Sequence, residues 1–323
     1  MASLLSVENL QVQFQTKKGI NTAVDGVSFS VEKGRILGIV GESGCGKSVT
    51  SMSILQLLGS NARISGGSIK LDGKELIGLP EKEMCRIRGN DIAMIFQDPM
   101  TALNPTLTIG TQLMEPIMLH QNCGKKEAWT RAVDVLKRVG IAAPEKRMKE
   151  YPHQLSGGMR QRVMIAMAVS CEPRLLIADE PTTALDVTIQ AQILELMCEL
   201  REKMGTAIML ITHDMGVVAE TADDVLVLYA GKAVEYGSIE DIFERPKHPY
   251  TQGLLNSIPR LDEDVELLNT IEGTVPAPDA MPAGCRFAPR CPYGKDRCMK
   301  EKPGVYHAGD SLVSCFRYEG EKE

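Results

Sequence analysis

Eight consecutive residues, Gly41-Glu42-Ser43-Gly44-Cys45-Gly46-Lys47-Ser48, constrain this chain more than any other stretch. They fit G-x-x-x-x-G-K-[ST] at every fixed position, and their flanks agree. Upstream, Arg35 to Val40 (R-I-L-G-I-V) is a short apolar run bounded by glycines, as expected for a strand buried on both sheet faces. Downstream, a helix is expected to begin at Gly46-Lys47-Ser48 and run through Ile54, Leu55, Leu57 and Leu58. A glycine-rich turn between a buried strand and a helix is the setting of a phosphate-binding loop. Glycine lets backbone N–H groups turn inward onto phosphate oxygens, and the helix N-terminus adds positive potential. Ser43, Gly44, Cys45, Gly46, Lys47, Ser48 and Val49 are therefore candidate nucleotide-binding residues, with Lys47 reaching the β- and γ-phosphates and Ser48 ligating Mg²⁺. The Cys45 side chain is read as a small group turned away from the phosphates, a redox-sensitive thiol being the alternative.

A second string supplies the acids. Leu175-Leu176-Ile177-Ala178-Asp179-Glu180 is four apolar residues followed by two carboxylates, a buried strand that delivers acids at its C-terminal end. That end is where ligands bind in α/β sheets. Asp179 is placed to hold the Mg²⁺ shell and Glu180 to polarise the attacking water. Other strands are expected at 4–14, at 24–31 as its antiparallel partner, at 68–72, 92–96 and 207–211, and in a hairpin spanning 225–235. From about 107 to 155 the strand pattern gives way to helical periodicity, with Trp129, Ala132, Val133, Leu136 and Val139 at three- and four-residue steps and Lys137 and Arg138 on the polar side. Helices are expected at 158–171, stopped by Glu172-Pro173, and at 188–204.

At 323 residues the chain exceeds one usual domain, so a large α/β domain with an appendage is expected. No apolar run approaches the ~20 residues of a membrane-spanning helix, and the first residues lack the pattern of a secretory signal. A cytoplasmic protein is expected, peripheral if it works at a membrane. The net charge of -6 argues against broad duplex-DNA binding.

Leu155-Ser156-Gly157-Gly158-Met159 resembles the ABC signature. Gln97 resembles the Q-loop glutamine, Ala184-Leu185-Asp186 the D-loop, and His213 the switch histidine. The resemblance implies an ABC nucleotide-binding domain, a P-loop core with an antiparallel β subdomain and a helical subdomain at about 98–157. It also implies a head-to-tail dimer in which Ser156, Gly157 and Gly158 serve the partner's ATP. His213 would touch the γ-phosphate, with Asp186 across the interface, and Gln97 would join Ser48 and Asp179 around Mg²⁺. Phe14, at the end of the first strand, stacks on adenine in this reading; core packing suits it equally.

Phe96 to Pro105, Tyr151 to Met159 and above all His248-Pro249-Tyr250-Thr251 resemble segments of dipeptide and oligopeptide importer ATPases. That resemblance covers nearly the whole chain. It implies an ATPase domain over 1–258 and a C-terminal extension over 259–323. The implied partners are a second ATPase, often a paralogue, two transmembrane permeases and an extracytoplasmic peptide-binding protein, without nucleic acid. A permease helix would dock near Gln97, at the cytoplasmic face of the inner membrane. The alternative is a soluble ABC ATPase acting on nucleic acid or ribosomes.

Four of the nine cysteines, Cys285, Cys291, Cys298 and Cys315, crowd the proline-rich end of the chain. Their spacing lacks the C-x₂-C knuckles of ordinary zinc sites and bacterial ferredoxins. The family resemblance implies a [4Fe–4S] cluster; zinc and four free thiols remain alternatives.

Overall fold

The computed structural model describes residues 3–17, 19–183, 186–258, 270–277 and 280–320, with the backbone alone at 99–100. Twelve strands form two sheets among the described residues. They are β1 (Ser3–Thr16), β2 (Gly19–Glu32), β3 (Ile36–Val40), β4 (Ala62–Leu71), β5 (Lys74–Glu75), β6 (Ile92–Ile95), β7 (Leu175–Asp179), β8 (Ala207–Ile211), β9 (Asp224–Tyr229), β10 (Lys232–Ser238), β11 (Tyr306–Ala308) and β12 (Ser311–Val313). The antiparallel sheet runs β2-β1-β4-β5; the larger sheet runs β11-β12-β10-β9-β3-β8-β7-β6. Its centre is parallel, β3 lying between β8 and β9 and β7 between β6 and β8.

The apolar runs divide their side chains between two cores. Leu37, Ile39, Leu175, Ile177, Met209 and Ile211 point into the layer shared with the antiparallel sheet. Their neighbours Ile36, Val40, Leu176, Ala178, Ile208 and Leu210 point to the helical side. This is the period-two alternation of a pleat buried on both faces, and it explains why these runs are continuous rather than alternating in the sequence. Burying each such side chain is worth about 1.5–3 kcal/mol, so the central strands form a stiff platform whose C-terminal ends can hold loops in place.

The helical region expected after residue 98 contains the helices Ile109–Gln121 and Lys125–Arg138. Ala128, Ala132, Val133, Val135 and Leu136 make the buried face of the latter, with Trp129 half-buried at its edge. The first helix is shorter than its apolar residues suggest. It spans Lys47–Ile54, Gln56 lies in the left-handed region (φ 49°), and the Arg88 guanidinium takes the carbonyls of Leu55 and Gln56. The helix expected at 158–171 spans Gly157–Val169, with Glu172 at φ 54° before Pro173. The proline-rich C-terminal segment carries a β11–β12 hairpin, which pairs with β10 and extends the core sheet. Strands of three residues leave no legible period. The expected domain boundary at 258/259 adjoins 259–269, which lie outside the described residues.

Candidate functional site

Three features fold the 41–48 loop into a cradle. The first is steric. Gly41 sits at φ 151°, and a Cβ there would come within 2.1 Å of the Leu228 carbonyl oxygen on the adjacent β9. Gly46, at φ 101°, caps the following helix, and a Cβ there would come within 3.0 Å of the Ala23 carbonyl oxygen. The second is tethering, since Gly231 N–H donates to the Cys45 carbonyl (2.9 Å) and Asp25 N–H to the Gly231 carbonyl (2.8 Å). The third is the lysine, which is buried, its Nζ donating to the carbonyls of Gly41 (2.6 Å) and Glu42 (3.3 Å). Ser43, Gly44 and Ser48 stay exposed, and Val49 is half-buried. The Cys45 thiol is buried in the sheet core, which pushes its pKa up. That favours the packing reading of its side chain over a reactive thiol. Phe14 is half-buried against the same core cluster.

β7 delivers both acids beside this loop. Asp179 is buried, which raises its pKa, while the Ser48 hydroxyl donates to it and opposes the shift. Its Oδ1 has no hydrogen-bond partner among the described residues. An orphaned buried carboxylate oxygen beside a serine hydroxyl fits the donor set that a Mg²⁺ ion, directly or through its water, would complete. Glu180 holds a left-handed backbone at φ 46°, fixed by its N–H donating to the Ile211 carbonyl (2.8 Å). Non-glycine residues held there cluster at functional sites. Three side chains converge on its carboxylate. Gln97 Nε2 donates at 2.9 Å, Thr183 Oγ1 donates at 3.0 Å, and His213 Nδ1 lies 3.5 Å away. The structure thus brings Gln97, Asp179, Glu180, His213, Lys47 and Ser48, read from four separate strings, into one neighbourhood; Thr183 carried no sequence signal.

The signature residues are built differently. Ser156 caps the Gly157–Val169 helix, accepting from Met159 N–H at 3.4 Å. Ser156 and Gly157 are exposed and Gly158 is half-buried, and a Cβ at Gly157 would meet nothing within 4 Å. Nothing in this chain's own packing requires that glycine. A Cβ at Gly158 would lie 3.3 Å from Ile189, so the cap adjoins the start of the Val187–Met204 helix. Asp186 caps that helix by accepting from Ile189 N–H (2.9 Å), and Val187 beside it is 83% exposed. Ala184 and Leu185 of the same string lie outside the described residues.

Cys285, Cys291, Cys298 and Cys315 line one cavity of about 80 Å³, together with Phe287 and His248. All are free thiols. Burial pushes the Cys285 pKa up to about 11, with the other three cysteines adding in the same direction. Among the described residues, no group of three or more His, Cys, Asp or Glu side chains is disposed to hold a metal ion. A single zinc would need its thiolates about 3.8 Å apart, from a Zn–S bond near 2.3 Å. The zinc alternative therefore finds no preformed site.

The loop also has partners that motif reading missed. The Tyr250 hydroxyl accepts from Glu42 N–H (2.9 Å), and Arg290 donates to the Glu42 carboxylate (2.9 and 3.1 Å). These contacts span 208 and 248 residues.

Curated proteins are similar in sequence to this chain over almost all its length. A family model described as ABC transporter matches residues 24–183, and one described as Oligopeptide/dipeptide transporter, C-terminal region, matches 234–298. The oligopeptide transport ATP-binding protein AppD of Bacillus subtilis (strain 168) is 56% identical, over 99% of this chain and 98% of its own length. The dipeptide transport ATP-binding protein DppD of the same organism is 55% identical, over 98% and 95%. The oligopeptide transport ATP-binding protein OppD of Escherichia coli (strain K12) is 52% identical, over 98% and 93%. Among solved structures, a dimeric ATP-binding cassette in a post-hydrolysis state bound to ADP and Pi is similar, with a TM-score of 0.66 and 27% identity over 73% of this chain and 98% of that one.

Proposed function

The chain belongs to the family of oligopeptide and dipeptide transport ATP-binding proteins, and from that premise we propose which of its residues bind and cleave ATP. It is the ATP-binding subunit of an ABC importer of di- and oligopeptides, an ATPase coupled to that transport. The relatives give no support to a soluble nucleic-acid or ribosome role.

Glu180 is the general base, and the convergence of Gln97, Thr183 and His213 on its carboxylate is the observation that carries this assignment. Those contacts orient the carboxylate oxygens toward an attacking water, while Lys47 and the loop N–H groups hold the β- and γ-phosphates. Ser48 and Asp179 are the ligands for Mg²⁺, with Gln97 nearby; the ion when bound neutralises charge on the phosphate oxygens. Replacing Glu180 with Gln keeps the size and hydrogen bonds but removes the base. Turnover is expected to fall by about 10²–10⁴-fold while ATP stays bound; a rate within a fewfold of wild type excludes the role.

The Ser156 cap, with Gly157 and Gly158, serves the γ-phosphate held by a second cassette. The open space at Gly157 and the exposed Val187 beside Asp186 support an interface there. The dimeric cassette similar to this chain supports the same arrangement. We assign residues 1–258 to the ATPase domain, about 98–157 to its helical part, and 259–323 to the extension. The partners in this reading are a second ATPase, paralogous or identical, two permeases and a peptide-binding protein. Among the described residues no helix is long and apolar enough to cross a membrane, which is consistent with peripheral attachment at the cytoplasmic face.

We further propose that Cys285, Cys291, Cys298 and Cys315 hold a [4Fe–4S] cluster. Their facing of one cavity is the observation that supports this. The bound cluster would staple a segment too small to bury a core of its own. Anaerobic purification is expected to yield about four irons and four sulfides per chain; a colourless protein, with or without one zinc, refutes it.

A further inference from the structure

Among the described residues, two buried side chains from far along the chain, Tyr250 and Arg290 of the extension, hold Glu42 of the nucleotide loop. Tyr250 is fully buried, and its hydroxyl accepts the Glu42 N–H (2.9 Å). The Arg290 side chain is 6% exposed. One of its nitrogens bridges both Glu42 oxygens (2.9 and 3.1 Å) and reaches the Tyr229 hydroxyl (3.4 Å). Its other nitrogens donate to the carbonyls of Glu272 (2.9 Å) and Ile271 (3.2 Å). The guanidinium is therefore fixed on every side. Beneath it Tyr229, Tyr250 and Phe287 pack edge-on or tilted, with ring centroids 4.7–5.4 Å apart. Tyr250 is set in turn by His248, whose Nδ1 accepts from Tyr250 N–H (3.1 Å).

Glu42 is the second residue of a loop that must receive a polyanion. An unpaired carboxylate on that loop would repel the triphosphate. Its N–H, if released from Tyr250, would also let the loop reorient. Both hazards are removed by groups from the far end of the chain.

We propose that Arg290 and Tyr250 are positioning residues for ATP binding, which neutralise Glu42 and hold it turned out of the phosphate cradle. Resting on the phosphate-loop reading above, this makes ATP affinity a property of the C-terminal segment as well as of the loop. The pair acts through Glu42 and leaves the chemistry at Glu180 alone. Its signature is thus a change in KM for ATP with little change in kcat.

The test uses the full-length chain and its ATPase activity, with ATP affinity measured in parallel. Arg290→Met keeps the reach of the side chain and removes its charge. It is expected to raise KM for ATP about tenfold, the scale of one charge-assisted hydrogen bond, with kcat within about twofold. Adding Glu42→Gln removes the charge that Arg290 offsets, and is expected to restore most of the loss. Tyr250→Phe keeps the ring packing and is expected to raise KM a fewfold, so the proposal remains testable if Arg290→Met fails to fold. Unchanged KM in Arg290→Met and Tyr250→Phe overturns the proposal, as does an Arg290→Met defect that Glu42→Gln leaves in place or deepens. Lys47→Ala separates the two readings: retained ATP affinity in that variant sinks the phosphate-loop assignment itself, whereas its loss with a normal Arg290→Met sinks only the positioning role.

Discussion

The two segments proposed to meet phosphate, the 41–48 loop and the Ser156 cap, are built on opposite terms. The 41–48 loop is saturated by its own chain, with β9 pressing on Gly41, Gly231 bonded to Cys45, and Tyr250 and Arg290 holding Glu42. The signature cap at Ser156 is exposed, with open space in front of Gly157 and the exposed Val187 close by. One glycine is required by the fold, the other is spare within it. A glycine with no local reason points to something that arrives from outside the chain.

Alanine at each glycine sharpens this contrast. Gly41→Ala forces a Cβ into the Leu228 carbonyl at a φ that alanine rarely adopts. A destabilisation of about 3 kcal/mol or more is expected in chemical denaturation, together with lost ATP binding. Gly157→Ala lies at the first position of a helix with room for its methyl. Stability is expected to hold or rise by up to about 1 kcal/mol, while turnover falls by about 10-fold or more because the methyl blocks the incoming phosphate. A Gly157→Ala enzyme with full turnover would erase the distinction between the two ends.

A smaller effect probes the support behind the saturated end. Burial holds the His248 pKa down to about 3, against about 6.5 for the exposed imidazole. The unfolded chain therefore gains a proton at this site before the folded one does. The stability contribution is complete above pH 6.5 and is lost as pH falls toward 3, by up to about 1.4 kcal/mol per pH unit. His248→Asn keeps a side-chain acceptor for Tyr250 N–H and removes the titration. Its denaturation free energy is expected to depend less steeply on pH than wild type between about 6.5 and 4; parallel slopes would show that His248 is not held neutral.

The same contrast governs what could be read from the sequence. Gly41, Lys47, Ser48, Asp179 and Glu180 were legible because strand, loop and helix are local and their residue types are fixed by sterics and charge. Gln97 and His213 needed the family resemblance, since a lone glutamine or histidine has no pattern of its own. Thr183, three residues from Glu180, left no trace because a lone threonine has no pattern of its own, and the Tyr250–Glu42–Arg290 contact left none because pairing across 208 and 248 residues is decided by topology, not periodicity. The β11–β12 hairpin escaped for a related reason, three-residue strands being too short to show alternation. The helix expected through Leu58 ends at Ile54: Leu55, Leu57 and Leu58 look helical, but Arg88, 33 and 32 residues on, takes the carbonyls of Leu55 and Gln56.

In this reading the open cap at Ser156 completes the nucleotide site of a second cassette. Light scattering on the Glu180→Gln chain with Mg-ATP tests it most directly, alongside the same chain carrying Ser156→Arg. ATP-dependent doubling of mass in the first, and monomers that still bind ATP in the second, are the expected results. Doubling that persists with arginine at that cap would contradict the account.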